Sequence, residues 1–272
     1  MSMEVTVLVD NIGKGSIQGE WGLSFHISYN GRNYLLDTGG SDRFLTNAIG
    51  LGINLSDVDD AVLSHAHYDH SLGMEIFFGV NSKADFYVSP HAAEDCYARA
   101  LFSSRYIGLP KGVLEAFRER IVRPEGVCRI GDGVWIVPHS APVPAKVARA
   151  SYLYVKRNGK FIPDDFAHEQ SLVFETDAGL VIFNSCSHSG PEAIVSEVRT
   201  ALPGKEVCAY FGGLHLFRLG RRAVMRIADS LRDSGVARIY TGHCTGDMAF
   251  EILKSRLGDS VVQLYSGLQV SI

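Results

Sequence analysis

Six consecutive residues, His65-Ala66-His67-Tyr68-Asp69-His70, carry three imidazoles and one carboxylate, an unusual density of metal-ligating atoms. The apolar run Ala61-Val62-Leu63 precedes them, and Ser64 and the small loop Ser71-Leu72-Gly73 flank them. In an extended backbone alternate side chains point the same way, so His65 and His67 can reach one ion together. After the turn, Asp69 and His70 are free to face a second ion beside it. Imidazole nitrogen and carboxylate oxygen suit zinc, iron or manganese. The competing reading is a histidine-rich surface loop that binds nothing; this spacing, after a strand and before a helix, favours metal.

Three more histidines stand where strand-like runs end. His188 follows residues 180–183 in Asn184-Ser185-Cys186-Ser187-His188, His215 follows 207–211 in Gly212-Gly213-Leu214-His215, and His243 follows 237–240 in Thr241-Gly242-His243-Cys244. Glycine and small residues around each let backbone and ligand approach closely. Taken singly, each reads as a satisfied structural histidine. Three at equivalent strand ends, together with the first cluster, read as one site at one edge of a sheet.

The elements that must position these groups follow from pattern. Residues 3–9 are valine-rich and read as a buried strand. Residues 23–29 and 33–36 form a hairpin turned at Asn30-Gly31, and Ser41 can cap a helix carrying Phe44, Leu45, Ala48 and Ile49 on one face. A strand at 84–89 and a helix over about 91–102 follow the histidine loop. Residues 103–125, with Pro110-Lys111-Gly112 and a charged run, suggest a helical insertion or flap. Strands at 126–130 and 134–137 precede a proline-rich loop from Pro138, and hairpins follow at 152–161 and 172–183. From Pro191 onward strand and helix alternate, ending in a strand at 261–264. Two β-rich sheets packed together with helices outside fit this order, giving an α/β fold of four layers, an αβ/βα sandwich. The absence of a tandem repeat or linker points to one domain over 1–272.

Composition bounds the partners. With 272 residues, 46% hydrophobic and 21% charged, the chain can bury a sizeable core. A net charge of −4 without a basic stripe argues against nucleic acid, and no apolar run approaches membrane-span length. The first apolar run carries Glu4 and Asp10 and no basic lead-in, unlike a signal peptide. Five scattered cysteines fit a reducing cytoplasm better than a disulfide framework. A small-molecule substrate is the expected partner.

The strand followed by Ser64-His65-Ala66-His67-Tyr68-Asp69-His70, with Asp37-Thr38-Gly39 before it and His188 and His243 after it, resembles the metallo-β-lactamase superfamily over nearly the whole chain. Val9-Asp10-Asn11, Cys186-Ser187-His188, Gly212-Gly213-Leu214-His215-Leu216 and His243-Cys244-Thr245-Gly246 resemble a narrower group. It comprises the 7,8-dihydropterin-6-methyl-4-(β-D-ribofuranosyl)aminobenzene 5′-phosphate synthases and related metallohydrolases. The resemblance implies two divalent ions, zinc first and iron or manganese as alternatives. His65 and His67 would bind the first ion, Asp69 and His70 the second, and His243 would complete the second site. Asp37 would orient the histidine loop from below. Many members carry a loop histidine before the central hairpin and a bridging aspartate after it. Here no aspartate follows the hairpin, and Cys186 and His188 occupy that neighbourhood. His188 is taken as a ligand. Cys186 is a soft ligand, a thiol beside the ligands, or, as free cysteine most often is, simply buried. His139 sits about where the missing loop histidine would be, as a ligand or substrate contact, and His215 is placed near the substrate.

The leading expectation is a hydrolase: a metal-bound hydroxide attacks an ester or phosphoester-like centre, Asp69 holds or takes its proton, and His215 stabilises or protonates the leaving group. The narrower resemblance implies instead a transferase that joins a pterin pyrophosphate to an aminobenzene ribofuranosyl phosphate and releases pyrophosphate. Arg105, Lys111, Arg118 and Arg123 could then contact phosphates, although a solvated charged face is the simpler reading. A third reading is a metal-bound sensor or binding module without turnover. Substrate choice should lie in the loops 103–125 and 138–150.

Overall fold

Short hairpin turns join neighbouring strands antiparallel, whereas longer crossovers join them parallel, and this chain uses both in each of two large sheets. The computed structural model describes residues 2–100, 103–139 and 151–272. The first sheet runs, edge to edge, Gln269–Ser271, Met3–Val9, Ser24–Tyr29, Arg32–Leu36, Asp60–Val62, Asp85–Tyr87 and Ile121–Val122. The second runs Val261–Gln263, Arg238–Thr241, Val207–Phe211, Gly179–Phe183, Gln170–Thr176, Val134–Pro138 and Cys128–Gly131. The Asn30-Gly31 turn holds both residues at positive φ, 49° and 75°, the backbone that a tight two-residue hairpin requires.

The two sheets meet through Val5, Val7, Phe25 and Ile27 on one side and Leu172, Phe174, Phe183 and Phe211 on the other. Phe183 stacks on Phe211 with centroids 4.7 Å apart and takes the edges of Phe25 and Phe174 at 5.6 Å each. The outer face of the first sheet packs Phe44 and Ala48 from the helix Arg43–Gly50 and Met74 and Phe77 from Met74–Val80. The outer face of the second packs Ile194 and Val198 from Pro191–Ala201, Val224 and Ala228 from Arg221–Asp233, and Leu253 from Asp247–Leu257. Helix, sheet, sheet, helix is the layer order expected from the sequence.

Three segments differ from expectation. The helix expected over about 91–102 does not form in its described part, 91–100, and residues 101–102 lie outside the described residues: Cys96–Ala100 is a strand, paired with Ser103–Tyr106 and Leu153–Arg157 in a separate four-stranded sheet with Lys160–Pro163. Alanine and arginine favour helix locally, but Tyr97 packs against Phe161 and Tyr106 across the strands, and tertiary contacts override so weak a propensity. The stretch 103–125 is mainly not helical; its helix is one turn, Val113–Ala116, with a 3-10 turn at Arg118–Arg120, and Ile121–Val122 extends the first sheet. The strand Gln269–Ser271, which pairs with Met3–Val9 at the sheet edge, is too short to announce itself by alternation. Most of the expected loop 138–150 lies outside the described residues. Among the described residues no helix is long and apolar enough to cross a membrane.

Phe183 is fully buried where both sheets and three aromatic neighbours converge, so Phe183→Ala should cost about 3–5 kcal/mol of unfolding free energy. Urea denaturation measures it; a loss under about 1 kcal/mol would show that the layers do not interlock there.

Candidate metal centre

The strand Asp60–Val62 delivers the chain into the histidine loop, and partners from both sheets fix its path. Leu63 N–H donates to Tyr87 O, and from the second sheet Gln170 N–H donates to Ser64 O while its Nε2 donates to Leu63 O. His67 is extended, with φ −101° and ψ 151°, and caps a single helical turn, Tyr68–Ser71. That change of backbone turns Asp69 and His70 to the same side as the preceding histidines.

Asp37 ties the loop together. Its Oδ1 accepts from Ser64 N–H at 2.7 Å, and its Oδ2 meets Ser64 Oγ at 2.6 Å and His70 Nδ1 at 2.8 Å. Ser64 Oγ also lies 2.8 Å from His65 Nδ1. With Nδ1 engaged, His65 and His70 both present Nε2 to the centre, the arrangement that outer partners impose on metal-binding histidines. Asn11 does this for His243: its Oδ1 is 3.0 Å from Nδ1, its Nδ2 donates to the His243 carbonyl, and Asp10 Oδ2 accepts His243 N–H. Gly242 makes room for that carboxylate; a Cβ there would stand 2.5 Å from Asp10 Oδ2. Glu169, fully buried, holds the His188 loop by accepting the N–H groups of His188 and Ser189.

The structure brings the distant histidines together. The rings of His65, His67 and His188 lie 4.7–4.9 Å apart, centroid to centroid. Beside them Asp69 Oδ2 is 3.8 Å from His70 Nε2 and 3.5 Å from His243 Nε2. Two donors each about 2.1 Å from one tetrahedral ion stand about 3.4 Å apart, so Asp69, His70 and His243 are close to the spacing of a shared ion. Cys186 joins this half, its Sγ 3.3 Å from His70 Nε2 and 3.4 Å from Cys244 Sγ. His215 stands at the rim, its ring 4.2 Å from that of His188 and its backbone N–H donating to Cys244 Sγ. His139 is elsewhere: its Nδ1 meets Glu197 and its Nε2 meets Ser171, so both nitrogens are occupied and neither faces the cluster. Of the expected phosphate contacts, Lys111 pairs with Asp95 and Arg118 with Glu115, while Arg105 lies over the ring of Tyr68.

Several residues of this centre carry no local signal. Glu169, Asp164 and His168 look like ordinary loop residues before a hairpin, and only the packing of that loop against the histidines reveals them. Asp10 and Asn11 stand in a recognisable motif, but their contact with His243 spans more than 230 residues.

The donor set fits divalent metal. Among the described residues, His65 Nε2, His67 Nε2, both ring nitrogens of His188 and His243 Nε2 are buried without a hydrogen-bond partner. Unpaired buried polar atoms are costly, and four histidines sharing that cost in one place fit the lining of a metal site. Burial pushes the imidazoles of His65, His67 and His188 well below their ordinary range, and that of His243 down to about 3, so they are neutral, as ligation requires.

Residues 22–160, half of the chain, match the metallo-beta-lactamase superfamily. The chain is similar to a Methanocaldococcus jannaschii protein named 7,8-dihydropterin-6-methyl-4-(beta-D-ribofuranosyl)-aminobenzene-5'-phosphate synthase, 26% identical over 258 residues that cover 90% of this chain and 88% of that one. Among solved structures it resembles Tm1679, described as a metal-dependent hydrolase of the beta-lactamase superfamily, with a TM-score of 0.83 and 27% identity over 99% of each chain. It also shares the fold of the metallo-beta-lactamase fold protein YhfI from Bacillus subtilis, with a TM-score of 0.61 and 13% identity over 100% of this chain and 99% of that one.

The neutral imidazoles set a pH dependence for the metal-free protein. His65, His67, His188 and His243 take up protons on unfolding below the ordinary histidine value of 6.5, so acid favours the unfolded chain. Asp10 opposes them: burial raises its carboxyl to about 7, so the fold prefers it protonated. His70 is raised by Asp69 and Asp37 despite burial; it is charged in both states below 6.5 and adds no slope there. Outside the cluster, burial also lowers His26, which adds to the four, and raises Asp60, which joins Asp10; the imidazoles outnumber the carboxyls and set the sign. The urea midpoint of chelator-treated protein should fall as pH drops from about 6.5 to about 4; a flat or rising midpoint would contradict buried neutral imidazoles.

Proposed function

Because the chain belongs to the metallo-β-lactamase superfamily, we propose that the histidine cluster holds two divalent ions and hydrolyses an ester or phosphoester of a small molecule. The observation that carries this reading is the set of buried, unpartnered ring nitrogens on His65, His67, His188 and His243. His65, His67 and His188 would hold one ion, and Asp69, His70 and His243 the other, with Cys186 at hand as a soft donor. Zinc suits this mixture of imidazole, carboxylate and thiol; iron or manganese are the alternatives. When bound, such ions supply water ionised near neutral pH and Lewis acidity toward the attacked centre.

The protein's own groups do the rest. Asp69 has a carboxylate oxygen facing both His70 and His243, where it can orient the attacking water and accept its proton. His215 has its Nδ1 buried without a partner among the described residues, and from the rim it can donate a proton to a leaving group. Trp21, 4.9 Å from the His243 ring, and Phe217, 5.3 Å from His215, form an aromatic edge on that side. The resemblance to Tm1679 supports hydrolysis. Five unpaired cysteines fit a reducing compartment such as the cytoplasm.

A second reading rests on the similarity to the M. jannaschii synthase: transfer of a pterinylmethyl group with loss of pyrophosphate. There the cluster would bind the departing pyrophosphate, and Arg105, stacked on Tyr68 beside the histidine loop, is placed to contact it. Release of pyrophosphate from a dihydropterin diphosphate, dependent on an aromatic amine acceptor, would favour transfer; release of phosphate or alcohol with water alone favours hydrolysis.

His67→Ala should leave the fold intact, lower the metal content, and reduce turnover of phosphoesters or lactones by more than about a hundredfold, the upper end of the loss when even an outer partner of a ligand is removed. Elemental analysis and steady-state assays check both. A variant that keeps its metal and its activity would refute the reading.

A further inference from the structure

Beside the histidine cluster, within the wall formed by the small four-stranded sheet and the loop after Lys160–Pro163, lies a second set of buried groups: His67, Cys96, Asp164 and His168. Asp164 is fully buried. Its Oδ1 accepts Phe166 N–H at 2.8 Å, its Oδ2 meets His168 Nε2 at 3.3 Å, and the same Oδ2 lies 3.9 Å from His67 Nε2, the unpartnered nitrogen that faces the metal centre.

This set is not a separate metal site. Ala66, between His65 and His67, donates its N–H to His168 Nδ1 at 3.2 Å. That nitrogen therefore presents its lone pair to Ala66, and the ring proton sits on Nε2, pointing at Asp164. His168 has no lone pair left for a metal. What it does is hold two things in place: the backbone between the two loop histidines, and the carboxylate beside them. A carboxylate oxygen has room for both the His168 proton and a metal.

We propose that Asp164 is a carboxylate ligand, or an ion-pairing neighbour drawn into ligation, of the ion bound by His65, His67 and His188, with His168 as its positioning residue. The chemistry is that of a borderline divalent cation, zinc or its replacements, in a site of three imidazoles and one carboxylate. Two donors to one ion can stand up to about 4.2 Å apart, and about 3.4 Å in a tetrahedron, so the 3.9 Å between Asp164 Oδ2 and His67 Nε2 lies within the span of one ion. Buried carboxylates are paired or bind metal; among the described hydrogen bonds and ion pairs Asp164 meets the two histidines His168 and His67 and the Phe166 N–H, and no arginine or lysine. The position also answers the missing aspartate after the hairpin: a carboxylate enters the centre from the loop before it instead.

This inference rests on the metal reading of the cluster, and the test separates the two. Crystals of the protein grown with zinc should show, by anomalous scattering at the zinc edge, an ion shared by His65, His67 and His188 with Asp164 Oδ2 about 2.2 Å away. In solution, Asp164→Asn should weaken the affinity for that ion at least about tenfold in competition with a chelating dye. An ion held by the three histidines with Asp164 beyond about 3 Å, or an Asp164→Asn variant with unchanged affinity, would overturn the inference and leave the proposed function standing. The crystal measurement uses unaltered protein and so is independent of whether the variant folds. No ion at the histidines with zinc, manganese or iron supplied would overturn both.

Discussion

The centre depends on one buried carboxylate. Asp37 ends a strand of the first sheet, is fully buried, and is held at a φ of 60°, a region that non-glycine residues seldom occupy. From there it binds Ser64 through both backbone and hydroxyl and His70 through Nδ1, while its own carbonyl accepts Ser24 Oγ. The next residue, Thr38, donates its N–H and its hydroxyl to the His70 carbonyl. Both ends of the histidine loop are thereby pinned to one strand end, and the tautomer of His70 is fixed. The strained backbone is tolerated because so many hydrogen bonds determine it. Ser187, His215 and His243 share the same positive-φ habit, at 46–55°. Strain of this kind costs about 1–3 kcal/mol per residue, and four of the eight non-glycine residues at positive φ among the described ones stand at this cluster.

The second constraint is electrostatic. Burying several imidazoles against one another forces them neutral, because burial and mutual repulsion both disfavour the imidazolium. Neutral rings with unpaired lone pairs are poor material for a core and good material for a cation. His70 differs because two carboxylates, Asp37 and Asp69, flank it. The folded chain without metal is therefore held in a state that its own core packing must support, which is why the aromatic interlock between the sheets and the function at their edge belong to the same energetic account.

How much of this was legible depended on sequence distance. His65, His67, Asp69 and His70 are read directly because their spacing is local, and the layer order is read because hairpin turns such as Asn30-Gly31 and the late strand–helix alternation are local too. His188, His215 and His243 became legible only as a set of equivalent strand ends. Asp164, His168 and Glu169 were not legible: each acts on a partner that the chain reaches only after folding, as the 102 residues between Ala66 and His168 illustrate. His139 and His168 show the limit plainly. Both stand before the hairpin and both are buried, yet His139 spends its two nitrogens on Glu197 and Ser171, and only His168 touches the histidine loop. The strand Cys96–Ala100 is illegible for a related reason, since its partners Tyr106 and Phe161 come from other segments.

The same distance dependence bears on how the charge of the centre is balanced. Neutral imidazoles bring no negative charge, and Asp37 is committed to Ser64 and His70. Two divalent ions would need more negative charge than Asp69 alone brings, and a buried excess of charge is expensive. Cys186 stands where a thiolate could contribute to one half, and Asp164 stands where a carboxylate could contribute to the other. Both are soft or indirect substitutes for a carboxylate bridging the two ions, so the halves of the centre would be coupled less tightly than a shared ligand would make them. The remaining deficit favours a substrate that arrives with its own negative charge. With two ions held as proposed, a phosphoester or diphosphate would suit this centre better on electrostatic grounds than a neutral ester.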